Sequence, residues 1–148
     1  MRLVPILVVI GAAFVALGCL TDRRAAAQAV VAEGKVRELA GCLLEYDRLA
    51  GGYPTTLPEL RTKATAPTSA CARVGDAVLG QSPSEYAGYT FRYAGGGKRF
   101  VLTAGPTSQV PYRCEFQLSE QYVLTRACSG RFSASEVVRR DLRAGAVR

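Results

Sequence analysis

The sequence predicts an α+β fold: a long N-terminal helix packed on a four-stranded antiparallel sheet. Three observations carry this. Residues 22–50 repeat apolar side chains every three or four positions and contain no proline. From residue 89 onward, short segments alternate apolar and polar residues between glycine-rich or polar turns. Cysteines occur in both regions, so covalent ties between the helix, its loop and the sheet are available.

The chain has 148 residues, enough for one compact domain once the N-terminal segment is set aside. Residues 1–21 read as a signal peptide or transmembrane anchor, and residues 22–148 as the folded domain. Leu3 to Leu20 carries no charge, which is close to the shortest run that crosses a bilayer. Three readings of it stand. Ala16-Leu17-Gly18-Cys19 is similar to a bacterial lipobox, in which Cys19 becomes the lipidated N-terminus. The run also suits an uncleaved anchor, and Ala25-Ala26-Ala27 suits a conventional cleavage. Charge on the two flanks is nearly balanced and does not set the orientation.

The helix is expected over 22–50. Ala29, Ala32, Val36, Leu39, Leu43 and Tyr46 form its apolar stripe, Glu33 and Arg37 an i,i+4 ion pair, and Gly51-Gly52 its stop. With no break before it, the helix and the apolar run read as one rod. Tyr53 to Leu60 is a turn with a short helical start. Residues 61–85 show little period and read as a long loop with one short strand at Ala77-Val78-Leu79. Tyr89–Tyr93 is a strand, Gly95-Gly96-Gly97-Lys98 its turn and Arg99–Ala104 the return strand. The triple glycine lacks the spacing of a phosphate loop. Residues 111–118 and 122–128 supply the third and fourth strands. Ser133-Ala134-Ser135-Glu136 matches a capping box, so a short basic helix is expected to close the chain.

Setting Cys19 aside leaves Cys42, Cys71, Cys114 and Cys128, an even number that fits two disulfides in an oxidising compartment. Three connectivities are open. A hairpin folded about residue 121 brings Cys114 to Cys128, which favours that pair and leaves Cys42 to tether the helix to the loop at Cys71. No pair has CxxC spacing and the chain has no histidine, so neither a redox motif nor a metal site is expected, and no cofactor.

Two segments add a resemblance. Leu43-Leu44-Glu45-Tyr46 leads through Gly51-Gly52 to Tyr53-Pro54-Thr55-Thr56-Leu57-Pro58-Glu59-Leu60, and Phe100 to Pro106 forms a late strand with a Gly-Pro turn. In these the chain resembles the type IV pilin-like fold, nearest the major pseudopilin of type II secretion systems. The resemblance covers roughly residues 22–106. It implies a membrane-attached domain on the periplasmic side of the cell envelope, with other envelope or pilin-like proteins as partners. Pro5 stands where that family carries an assembly glutamate, and Gly105-Pro106-Thr107-Ser108-Gln109 has none of its calcium-binding carboxylates. These departures point to a pilin-like domain carried on a lipoprotein.

An enzyme is not expected: no histidine serves as a base, and Glu45 and Asp47 do not share a helix face. The leading expectation is a structural or interaction role. The alternative is an envelope-anchored binding module for DNA or another polyanion, prompted by the net charge of +7. It would use Arg92, Lys98 and Arg99 around one hairpin and Arg139, Arg140 and Arg143 near the C-terminus, with Tyr89, Phe91 and Tyr93 interleaved. The bland reading makes the charge a solvated surface and the aromatics core.

Overall fold

A single helix, α1 (Val4–Ala50), carries both the apolar run and the amphipathic stretch without a break. Its 47 residues span about 70 Å. The computed structural model describes residues 4–63, 69–108, 113–130 and 136–143, with side chains in α1 described from Arg23 onward. The expected stripe is the buried one: Ala29, Ala32, Val36, Leu39 and Leu43 are all enclosed, joined by Ala25 and Ala40, while Tyr46 is half-buried at its end. Among the described residues no helix is long and apolar enough to cross a membrane. The side chains of the run Leu3–Leu20 and of Cys19 lie outside that range.

Two adjacent glycines end α1 for different reasons. Gly51 adopts a left-handed conformation (φ +73°), and its N–H donates to the Asp47 carbonyl at 2.8 Å, closing the last turn. Gly52 permits contact: a Cβ there would stand 2.8 Å from the Gly97 carbonyl oxygen. That approach lets the Tyr53 N–H donate to the same oxygen at 2.7 Å, which fixes the end of the helix to the hairpin tip.

The segment after the helix is more ordered than its composition suggests. Helix α2 (Glu59–Lys63) starts where Glu59 reaches back to accept from the Thr55 backbone and from the Thr55 and Thr56 hydroxyls. A 3-10 turn follows at Ala70–Arg73, then helix α3 (Asp76–Leu79). Ala77-Val78-Leu79 is therefore helical and not the expected strand. Gly75 at φ +81° and the Asp76 start form one turn that buries Val78 and Leu79, and three residues are too few to show either period.

The sheet has six strands, not four, in the order β1-β2-β3-β4-β5-β6, each antiparallel to the next. They are β1 (Ser84–Tyr86), β2 (Tyr89–Gly96), β3 (Arg99–Pro106), β4 (Arg113–Ser119), β5 (Val123–Ser129) and β6 (Glu136–Asp141). The middle four match the expected meander. The additions are its edges. β1 is only three residues long, below the length at which alternation is visible. β6 replaces the expected C-terminal basic helix. Its six residues pair with Val123–Cys128, and Val137-Val138 suits a strand better than a helix. Ser133, the expected cap, lies outside the described residues.

One face of the sheet meets α1. Tyr89 and Phe91, Phe100, Leu102 and Ala104, Phe116 and Leu118, and Leu124 are buried there. Both expected disulfides are present. Cys114 and Cys128 sit directly opposite each other in β4 and β5, at a Cα separation of 4.0 Å. Cys42–Cys71 ties α1 to the 3-10 turn. Around it the chain forms a strap along the flank of α1. Glu45 Oε2 accepts from the Ala70 N–H at 2.8 Å and from the Ser69 hydroxyl at 3.1 Å, and Lys35 Nζ donates to the Val74 carbonyl at 3.1 Å.

Candidate functional site

Three surfaces present chemistry. The first is the side of α1 turned away from the sheet. Ala27, Val30, Val31 and Gly34 follow i, i+3, i+4, i+7 spacing, which places them on one side of the helix. All four are exposed; Val30 is 71% and Val31 47% accessible. The strap begins at the next turn, from Lys35 to Glu45, so α1 is covered above this stripe and open along it.

The second surface is the junction of α1, β5 and β6. Glu33 is a largely enclosed carboxylate, its side chain 13% exposed. Arg37 on the same helix reaches Oε1 at 2.6 Å, Arg140 of β6 approaches the same oxygen at 3.6 Å, and Arg126 of β5 lies 3.4 Å from Oε2. Burial pushes the Glu33 carboxyl up, but hydrogen bonds and charge from Arg37 and Arg126 outweigh it and hold it below the ordinary carboxylate range. A carboxyl whose folded-state pKa is depressed stabilises fully above its unfolded value, and loses that contribution as pH falls through the folded value. The Glu33→Gln variant should therefore melt below the parent at pH 7, and the gap should close as pH falls through and below the ordinary carboxylate range. Thermal melts across that range check this; a gap independent of pH would mean that the carboxylate charge contributes nothing.

The third surface is the outer face of the sheet. Registered pairs line up Arg92, Thr103, Gln117, Thr125 and Arg139 across β2 to β6. At an interstrand spacing of about 4.8 Å, the two arginines stand roughly 19 Å apart. Along this row lies an open depression of about 510 Å³, lined by Thr90, Thr103, Gln117 and Thr125 with Arg92, Arg113 and Glu115 as its charged groups. Hydroxyls and amides of this kind can hydrogen-bond a ligand, but no acid or base in the row is placed to activate a nucleophile.

The residues singled out from the sequence are distributed among these surfaces. Cys42, Cys71, Cys114 and Cys128 are structural cross-links. Cys19 falls within α1, with its side chain outside the described range. The basic residues do not form one patch. Arg92 and Arg139 are on the outer face, Arg140 is on the helix side with Glu33, Lys98 donates to the Gly51 carbonyl, and Arg143 lies over the Tyr122 ring. Tyr89 and Phe91 are buried in the core, and the half-buried Tyr93 donates its hydroxyl to the Pro54 carbonyl. An aromatic stacking platform for bases is therefore not formed by these three. Glu45 and Asp47 also separate, the first to the strap and the second toward Lys98. Among the described residues no three His, Cys, Asp or Glu side chains gather as a metal-holding group.

Sequence reasoning missed the convergence on Glu33. One signal pointed to it: Arg126 occupies the inward phase between Leu124 and Cys128, where a charge needs a buried partner. Comparison with protein-family models, with curated proteins and with solved structures finds no match to this chain.

Proposed function

We propose that this chain is a non-enzymatic structural or interaction protein of the cell envelope, a pilin-like domain held at a membrane by its N-terminus. The observation that carries the reading is the exposed apolar stripe Ala27-Val30-Val31-Gly34 on a helix continuous with the apolar run. Exposed valines close to the proposed point of membrane attachment suit packing against another helix there, and the small residues at 27 and 34 allow close approach. The two disulfides suit an oxidising compartment on the periplasmic side. The partners proposed are other envelope proteins of a secretion or pilus-type system, and Cys19 is the proposed site of lipid attachment.

The test replaces Val30 and Val31 together by glutamate. Both are exposed, so folding should change by no more than about 0.5 kcal/mol per site. The variant should stay in the membrane fraction and lose the higher-mass species that the parent forms on native gels after mild detergent extraction. A parent that runs as a lone chain, or a variant that assembles like the parent, would overturn the reading. Intact-mass analysis of the same extract should find a lipid-modified N-terminus at Cys19; a chain still beginning at Met1 or Arg2 would replace lipidation by a retained anchor.

A further inference from the structure

The outer face of the sheet gathers polar groups of opposite sign without pairing them. Arg92 of β2 and Gln117 of β4 stand opposite each other across Thr103 of β3. Two residues along the same strands, Thr90 and Glu115 flank Gly105. These four side chains mark the corners of a rectangle of about 10 by 7 Å, set by two interstrand spacings and the rise of two residues. Arg92, Glu115 and Gln117 are exposed, and among the described residues none of the three has a side-chain hydrogen bond or ion pair. The charged groups around Glu33, by contrast, are already joined to one another. The floor of the rectangle is low: a Cβ at Gly105 would meet nothing within 4 Å. The depression of about 510 Å³ above it falls within the range of small-ligand sites. Arg113 also borders the depression, but it has a partner of its own and is not a corner of the rectangle.

The pattern selects among ligands. Arg92 offers N–H donors and positive charge, Glu115 only acceptors, and Gln117 and Thr103 both kinds. A ligand that satisfies them together carries an anionic oxygen group on one side and hydroxyl donors on the other. A phosphate chain would bring charged oxygens, without donors, against Glu115, which repels them. A nucleobase finds no ring to stack on, because Phe116, the aromatic residue of the lining, is 2% exposed and belongs to the core. With a hydrogen bond of about 2.8 Å at each wall, the width leaves roughly 4 Å, room for one saturated ring between β2 and β4. We infer that the outer-face depression binds an acidic saccharide, with a sugar carboxylate on Arg92 and ring hydroxyls on Glu115 and Gln117. This goes beyond the proposed membrane attachment and does not depend on it, because the face lies on the side of the sheet away from α1.

Calorimetric titration of the full chain in neutral detergent tests the site with trigalacturonate, which carries a carboxylate on each ring, and with the neutral galactose trisaccharide. The acidic sugar should bind about tenfold more tightly or better, the worth of one hydrogen-bonded charge. Arg92→Gln should bring it down to the neutral sugar's affinity. Glu115→Ala should weaken trigalacturonate by about tenfold, through lost hydroxyl contacts. A surface that merely collects anions would do the reverse and bind more tightly without the glutamate. Arg48→Gln, at an exposed position on α1, should leave the affinity unchanged. All three positions are exposed, so the variants should melt close to the parent. No binding, equal affinity for the two sugars, or tighter binding by Glu115→Ala would overturn the site. Displacement of trigalacturonate by single-stranded DNA at matched charge concentration would assign the face to nucleic acid and overturn the saccharide. The Val30/Val31 result has no bearing on any of these outcomes.

Discussion

Replacing Phe100 by alanine should lower the unfolding free energy by about 3–5 kcal/mol. The ring is 1% exposed and sits in an aromatic cluster: Tyr53 at 4.6 Å, Tyr122 at 5.8 Å and Tyr93 at 6.1 Å between centroids. Phe100 also lies two residues past the β2–β3 turn, at the hairpin tip that receives the end of α1 through Tyr53. Truncation removes apolar burial, edge-on contacts with Tyr53 and Tyr122 and a stacked contact with Tyr93 at once, and these neighbours come from separate segments that cannot close over the void together. Urea unfolding reads the effect as a shifted midpoint at an unchanged slope. A midpoint within 1 kcal/mol of the parent, by the same conversion, would place the core elsewhere.

The second large effect is on the strap. Converting Cys42 and Cys71 together to alanine should cost about 3–4 kcal/mol, because the bond closes a loop with a sequence separation of 29. The loss should be concentrated locally. Residues 69–74 are held to α1 by this bond, by Glu45 and by Lys35, and without the bond only those part-buried polar contacts and the buried Val74 remain. Hydrogen exchange at the Ala70 and Cys71 amides should speed up well beyond the rise seen in β3 and β4. Equal acceleration everywhere would show that the strap is part of the global unit and not a separately secured element.

What was legible in the sequence follows from how many residues repeat a signal. The stripe of α1 repeats over more than three turns, and its buried members are the ones the spacing picks out. β2 and β3 alternate over enough residues to define their inner faces, and the pairing of Cys114 with Cys128 follows from the register of a hairpin. β1 and α3 span three and four residues, too few for any period, and their conformations are set by what they pack against. β6 was misread because a capping pattern and loosely spaced apolar residues are local signals. The free edge of β5 offers backbone partners for all six residues, a long-range gain that no local window contains. The same limit hid the Glu33 junction. The i,i+4 pair with Arg37 was readable, but Arg126 and Arg140 arrive from 93 and 107 positions away, and only the folded register brings them in.

The two margins of the sheet are also unequal in what they invite. β1 presents three residues immediately after Pro83, a short rim without room for a long added strand. β6 presents six, and Arg139, Arg140 and Asp141 crowd charge into half of them. Short length on one side and charge on the other are the usual defences of an open sheet against edge-to-edge aggregation. Even at high local concentration, copies of this chain would then stay apart along their β margins. Whatever association they make is left to side-chain surfaces, where specificity can be encoded, and not to a backbone that would accept any passing strand.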